Sequence, residues 1–302
     1  MVEFSKLSTE YPNENSTHID RMSTGDILRV INDEDAKVAG SVRAIIPEIE
    51  RAVEAIHLRM QQGGRLIYLG SGSSGRMGVL DAAECPPTYG TDPEEIFAIM
   101  AGGQNAVFVA VEGAEDDQEQ GRLDVQAVDL QPEDSLVGIA ASGRTPYVIG
   151  GLEYANEVGA LTIALTSVEG APITQIVDVA LTPQTGPEVV TGSTRMKNGT
   201  AQKLILNMLS TTLMIKQGKV YGNLMVDLKA SNLKLLERAT RTVMSITNAD
   251  REEAVALLEQ ADMHVKTAVV MYWKQLSAED ARSAIAAADG HLHRLAPQGE
   301  HA

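Results

Sequence analysis

Two serine-glycine loops and two glutamates are the parts of this sequence whose types and spacing could do chemistry. Gly70-Ser71-Gly72-Ser73-Ser74-Gly75-Arg76 and Ala140-Ala141-Ser142-Gly143-Arg144-Thr145 each follow an apolar run and open a stretch with helix-like spacing. Glycines at a strand end let backbone N–H groups and a helix N-terminus point at a phosphate, and the serine and threonine hydroxyls add donors. Between the loops stand Glu84, before Cys85-Pro86-Pro87, and Glu115, within Glu112-Gly113-Ala114-Glu115-Asp116-Asp117. Phosphate donors combined with two carboxylates point to general acid/base chemistry on a phosphorylated small molecule. Taken alone, the acidic run around Glu115 reads equally as a solvated helix face.

The elements that must position these residues are legible in outline. Leu66-Ile67-Tyr68-Leu69 and Leu136-Val137-Gly138-Ile139 have the unbroken apolar character of strands buried on both faces. Strands are expected at 65–70, 95–101, 135–140, 160–166 and 176–181, with helical stretches between most of them. That alternation predicts an α/β fold, a parallel sheet with helices on both faces. Residues 1–22 are polar and read as an arm, and Thr24 to Gln62 has helical apolar spacing ending at Gly63-Gly64. The stretch 194–216 is apolar enough for a buried helix, in the core or at a subunit interface. After residue 238 the texture changes to short Ala-rich helices, expected at 248–260, 262–275 and 278–288. Two domains are therefore expected: residues 1–238, the α/β domain with its helical arm, and residues 239–302, a small three-helix module. His291, His293 and His301 have metal-like spacing but read as a solvated terminus.

Composition narrows the function classes. The 302 residues are 44% hydrophobic, enough for a sizeable core, and carry a formal charge of −16. That charge argues against nucleic acid and anionic membrane surfaces, both of which demand clustered Lys and Arg. An anion site here must rely on local, preorganised donors instead of the overall field. The start, Met1-Val2-Glu3-Phe4-Ser5-Lys6, has neither a basic region nor an apolar signal core, and no run reaches membrane-spanning length, so a cytoplasmic protein is expected. Cys85 is the only cysteine, which leaves no internal disulfide and no Cys-rich metal site. Gly70-x-Gly72-x-x-Gly75 matches a dinucleotide fingerprint in spacing. Only Glu94 and Glu95 are available as the acidic partner, however, and the second loop has no place in that motif.

The first loop resembles the phosphosugar signature of the sugar isomerase (SIS) domain, and Ser142 and Thr145 match the Ser-Gly-x-Thr part of that domain's second loop. Gly186-Pro187-Glu188-Val189-Val190-Thr191-Gly192-Ser193-Thr194-Arg195 is similar to the segment lining the sugar site of SIS isomerases. Leu80-Asp81-Ala82-Ala83-Glu84-Cys85-Pro86-Pro87-Thr88-Tyr89-Gly90, Ala110 to Asp116 and Gly222-Asn223-Leu224-Met225-Val226-Asp227 narrow the resemblance to the N-acetylmuramic acid 6-phosphate etherases. It implies an SIS-type three-layer sandwich with a mainly parallel sheet, and a C-terminal helical module of ubiquitin-associated (UBA-like) type. It further implies a phosphosugar substrate and a homodimer. Ser73, Ser74, Ser142 and Thr145 would hold the phosphate, Glu188 and Ser193 would lie nearer the sugar, and Glu84 and Glu115 would be catalytic.

Cleaving a lactyl ether at C3 of a sugar is difficult by direct hydrolysis. In the open-chain aldehyde, C2–H lies next to a carbonyl and becomes removable, so a base and an acid suffice and no metal or organic cofactor is required. If the helix opening at Ser73 ends near Glu84, the dipole and partial burial would favour a protonated acid there. The resemblance assigns the base to Glu115. Two readings from other classes remain: a non-catalytic sugar-phosphate sensor and an aldose–ketose isomerase, each separable from an etherase by whether lactate is released.

Overall fold

The computed structural model describes residues 8–228 and 233–297; residues 1–7 of the arm and His301 lie outside them. The chain divides into two compact units, Met1–Ala83 with Glu94–Ser210 and Glu84–Pro93 with Thr211–Ala302.

In the first unit the five expected strands form: β1 (Leu66–Gly70), β2 (Ile96–Met100), β3 (Ser135–Ile139), β4 (Leu161–Leu165) and β5 (Val179–Leu181). They pair in the order β2-β1-β3-β4-β5, every pair parallel. Every residue of β1, β3 and β4 is buried, which is why their sequences are continuous apolar runs with no in–out alternation. The helical stretch before the sheet is broken into α1 (Thr24–Asp35), α2 (Val38–Arg43) and α3 (Ile46–Met60). Ser23 caps α1 by accepting from the Asp26 N–H, and α3 carries Pro47 in its first turn, where a missing N–H costs nothing. α3 packs against β4 and β5.

Helix α4 (Gly72–Tyr89) follows β1, α5 (Gln118–Ala127) precedes β3, and α6 (Pro146–Val158) joins β3 to β4. α6 buries Tyr147, Val148, Leu152 and Ala155 against the sheet. α5 and α6 cross with their backbones touching. A Cβ on Gly121 would stand 1.9 Å from the Tyr147 carbonyl oxygen, and one on Gly150 would stand 1.9 Å from that of Gln118. The apolar stretch near 200 becomes α7 (Lys197–Lys216), whose Ala201, Ile205, Leu206, Leu209, Leu213 and Met214 are fully buried.

α4 departs from expectation. Instead of ending near Glu84 it continues through Pro86 and Pro87 to Tyr89. The prolines remove two N–H donors but hold a helical φ, so the last turn persists. It closes where the Gly90 N–H donates to the Pro86 carbonyl at 2.9 Å, with Gly90 at φ +65°.

The second unit is built around α10 (Val265–Lys274), whose residues Val265 to Met271 are all buried. It is packed by α8 (Leu233–Thr247), α9 (Arg251–Gln260) and α11 (Ala278–Ala287). Asp250 and Ser277 cap α9 and α11. The expected three helices are present, and α8 runs unbroken through residue 238 as a fourth helix of the unit. A two-stranded antiparallel hairpin, β6 (Val220–Tyr221) with β7 (Leu224–Met225), completes this unit. The tail is not simply solvated: Leu292 is buried within a short helical turn, Leu292–Arg294, because it is the apolar residue among the histidines.

Candidate functional site

In a sheet ordered β2-β1-β3, the chain leaving β2 must pass over β1 to reach β3, so the connections after β1 and β3 diverge. A crevice opens at the carboxyl ends of those two strands, the place where open α/β sheets bind ligands. Gly70 and Ile139 are register partners, so both serine-glycine loops start side by side at that crevice. α4 and α6 begin directly after them and direct their N-termini, with unpaired N–H groups and positive dipole ends, to the same edge. The first loop requires its glycines: a Cβ on Gly75 would lie 2.8 Å from the Gly70 carbonyl oxygen. The second turns on Gly143, at φ +65°, whose N–H donates to the Ala140 carbonyl at 2.9 Å.

The expected phosphate donors sit on these loops in different states. Ser73 is half-buried in the first turn of α4. Ser74 is 7% exposed, and its hydroxyl accepts from Gln202 Nε2 at 3.0 Å. Ser142 and Thr145 are half-buried; Ser142 Oγ accepts from the Arg144 N–H at 3.4 Å, and Thr145 occupies the cap position of α6 with no side-chain cap bond. Glu188, expected nearer the sugar, is enclosed. It is 0% exposed, and its carboxylate accepts from the Lys197 N–H (2.9 Å), the Asn198 N–H (3.0 Å) and Asn198 Nδ2 (2.8 Å). The physical reason is the start of α7, whose orphan N–H groups are satisfied by this anion. Ser193, on the same loop, remains half-buried.

Glu115 lies on an open wall. The chain enters through Gly113 in the left-handed region, makes a short turn, Ala114–Asp116, and passes to Asp117, which caps α5 by accepting from the Gln120 N–H. The acidic run is thereby explained: Asp116, Asp117 and Glu119 crowd a helix N-terminus, where negative charge is favoured. Glu115, just ahead of the helix, lines a cleft of about 200 Å³ together with Ser71, Gly72, Arg76, Met100 and Glu112. Its Oε2 accepts from Ser71 Oγ at 3.0 Å. Arg76 holds the facing wall, donating to the carbonyls of Val107 (2.8 Å) and Ala106 (2.7 Å). Because α5 is locked to α6, the Glu115 turn and the second serine-glycine loop are held by one helix pair.

Glu84 falls in the second unit, with the segment Glu84–Pro93. Its side chain is exposed and α4 continues past it, so burial at a helix end does not distinguish this carboxylate. The structure thus brings together Ser71 and Glu115, and sets the two serine-glycine loops side by side. Ser71, Arg76 and Gln202 were not singled out as site residues from the sequence. Ser71 and Arg76 flank the chosen serines in the first loop, and that adjacency was their only signal. No group of three or more His, Cys, Asp or Glu side chains suited to a metal ion occurs among the described residues.

Comparison with known proteins agrees with this architecture. Residues 48–156 match the glucokinase regulatory protein N-terminal SIS domain, residues 108–212 the SIS domain, and residues 237–279 a UBA-like domain. A phosphoheptose isomerase from Neisseria gonorrhoeae superposes with a TM-score of 0.50 at 20% identity, covering 63% of this chain and 98% of its own, which establishes the fold. N-acetylmuramic acid 6-phosphate etherase 2 of Vibrio parahaemolyticus is 51% identical over 96% of this chain and 97% of its own length. The N-acetylmuramic acid 6-phosphate etherases of Pasteurella multocida and Caldanaerobacter subterraneus are 52% and 53% identical, each over 95% of this chain and 96% and 94% of their own. The chain belongs to the N-acetylmuramic acid 6-phosphate etherase family.

Proposed function

We propose that this protein cleaves the D-lactyl ether of N-acetylmuramic acid 6-phosphate, giving N-acetylglucosamine 6-phosphate and D-lactate in the recovery of cell-wall amino sugars. The observation that carries the proposal is the match, at about half identity over nearly the full chain, to relatives named for this reaction. The serine-glycine loops at the sheet crevice are suited to the phosphate, with Ser73, Ser74, Ser142 and Thr145 as side-chain donors and the α4 and α6 N-termini as backbone ones. Ser193 is offered to the sugar, and Glu188 acts through the loop whose helix it caps.

The reaction begins from the open-chain aldehyde. Glu115 removes the C2 proton, and its exposure in a cleft suits a group that must meet a substrate C–H. The electron pair left at C2 forms a C2=C3 bond as the C3–O bond breaks, and Glu84 gives its proton to the departing lactyl oxygen. Water then adds at C3 as Glu84 takes a proton from it and Glu115 returns its proton to C2, which restores the acid and the base. No helix is long and apolar enough to cross a membrane among the described residues, and the reading is of a cytoplasmic enzyme acting as a homodimer. Met208, an exposed apolar residue of α7, is offered to the partner.

Turnover in oxygen-18 water tests the reaction. Elimination and readdition place the heavy oxygen at C3 of the sugar and leave lactate with its original ether oxygen. Heavy oxygen in lactate would refute the elimination, and absence of lactate would leave the sensor or isomerase reading instead.

A further inference from the structure

We propose that Lys266, on α10 of the helical unit, is a positioning residue for the segment that carries Glu84, acting through Asp227 and Gly90. Three observations within the second unit carry it. Lys266 Nζ stands 2.5 Å from Asp227 Oδ2, with the two side chains only 7% and 11% exposed, and Lys219 Nζ reaches the same oxygen at 3.7 Å. The backbone of Asp227 in turn lies against Gly90: a Cβ there would stand 2.4 Å from the Asp227 carbonyl oxygen. Gly90 is the residue that ends α4 after Glu84, and Glu84–Pro93 clusters with the helical unit, not with the sheet.

The choice of lysine is what needs explaining. Its neighbours on α10, Val265, Ala268, Val269 and Val270, are at most 1% exposed, so an apolar side chain would fill this face without removing a charge from water. Burial, with Lys219 nearby, lowers the Lys266 pKa, and the Asp227 carboxylate opposes that shift. Buried ion pairs are often no more stabilising than apolar replacements, but they fix one geometry. Here the geometry fixed is that of Asp227, and through it the place where Gly90 terminates the Glu84 helix.

The inference rests on Glu84 being the acid for the leaving lactate, so the experiment runs Glu84→Gln alongside Lys266→Met, Lys266→Arg and Gly90→Ala in the full chain. Solvent exchange of the C2 hydrogen and lactate release are measured separately. Lys266→Met should lower lactate release about tenfold or more while C2 exchange stays within about threefold and KM within about twofold. Gly90→Ala should show the same split without touching the ion pair, and Lys266→Arg should restore part of the release. A parallel fall of exchange and release, or no change in either, overturns the inference. If Lys266→Met does not fold, Asp227→Asn carries the same expectation and the same refutation. A Glu84→Gln variant without the split would refute the acid assignment, and with it this inference. A split in Glu84→Gln but not in the Lys266 and Gly90 variants would refute the positioning role alone.

Discussion

Glu188 and Glu115 are the same residue on two loops of the first unit, and their surroundings could hardly differ more. The Glu188 loop is held from every side. Asn13 and Ser16 of the N-terminal arm donate to the carbonyls of Pro187 (3.0 Å) and Val189 (2.7 Å). Lys197 and Asn198 donate to the Glu188 carboxylate from α7. Beneath them Lys197 Nζ pairs with Glu34 at 2.6 Å, and Glu34, 3% exposed, is further held by Lys37 and Asn15. The Glu115 loop keeps Phe108 and Val109 in solvent, and Glu115 accepts from the Ser71 hydroxyl at its cleft. A buried carboxylate with several donors is a structural anion whose removal leaves orphaned N–H groups. An exposed one beside a cleft is open to solvent and to whatever enters the cleft.

Breaking the buried half of this contrast should have the largest effect. Lys197→Met leaves Glu34 buried with its strongest partner gone, and urea unfolding should show a loss of about 3–5 kcal/mol, the usual result of removing one member of a buried pair. A loss below about 1 kcal/mol would mean that the arm and loop are not held as described. Breaking the exposed half should act on chemistry alone. Glu115→Gln should lower C2 exchange and lactate release together by about a hundredfold or more. Its unfolding free energy should stay within about 0.5 kcal/mol of wild type, as for a surface substitution.

The smallest effect is one of pH, and it sharpens the contrast. Burial alone would raise the Glu34 pKa, but Lys197, Lys37, Asn15 and Asn13 outweigh it and hold the group at about 2 instead of its ordinary 4.5. A carboxylate depressed in the folded state contributes stability that is fully present above its unfolded pKa and is lost as pH falls through the folded one. Stability should therefore decline between about pH 4.5 and pH 2, a slope that Lys197→Met reduces and Glu115→Gln leaves in place. Equal slopes in all three proteins would assign the acid sensitivity elsewhere.

The strands were legible because a strand buried on both faces needs no alternation, and Leu66 to Leu69 or Leu136 to Ile139 admits few other readings. The loops were legible because only glycine allows Gly70 and Gly75 to approach so closely. The end of α4 was not, since closure was expected near Glu84 while Pro86 and Pro87, whose fixed φ is helical, let the helix run on to Tyr89. Nor was the difference between Glu188 and Glu115, because nothing local in Gly-Pro-Glu announces that the next helix will place two N–H groups on its carboxylate.

Local physics, written in residue order, determined the strands, the glycine turns, the helix caps at Ser23, Asp117, Asp250 and Ser277, and the acidity of the α5 N-terminus. The tertiary structure decided which carboxylates are enclosed and which stand open. It paired Lys197 with Glu34, 163 residues apart, and set Ser71 against Glu115, 44 apart. Burial and hydrogen-bond saturation are properties of a surrounding volume, and a residue's sequence neighbours supply only a small part of that volume.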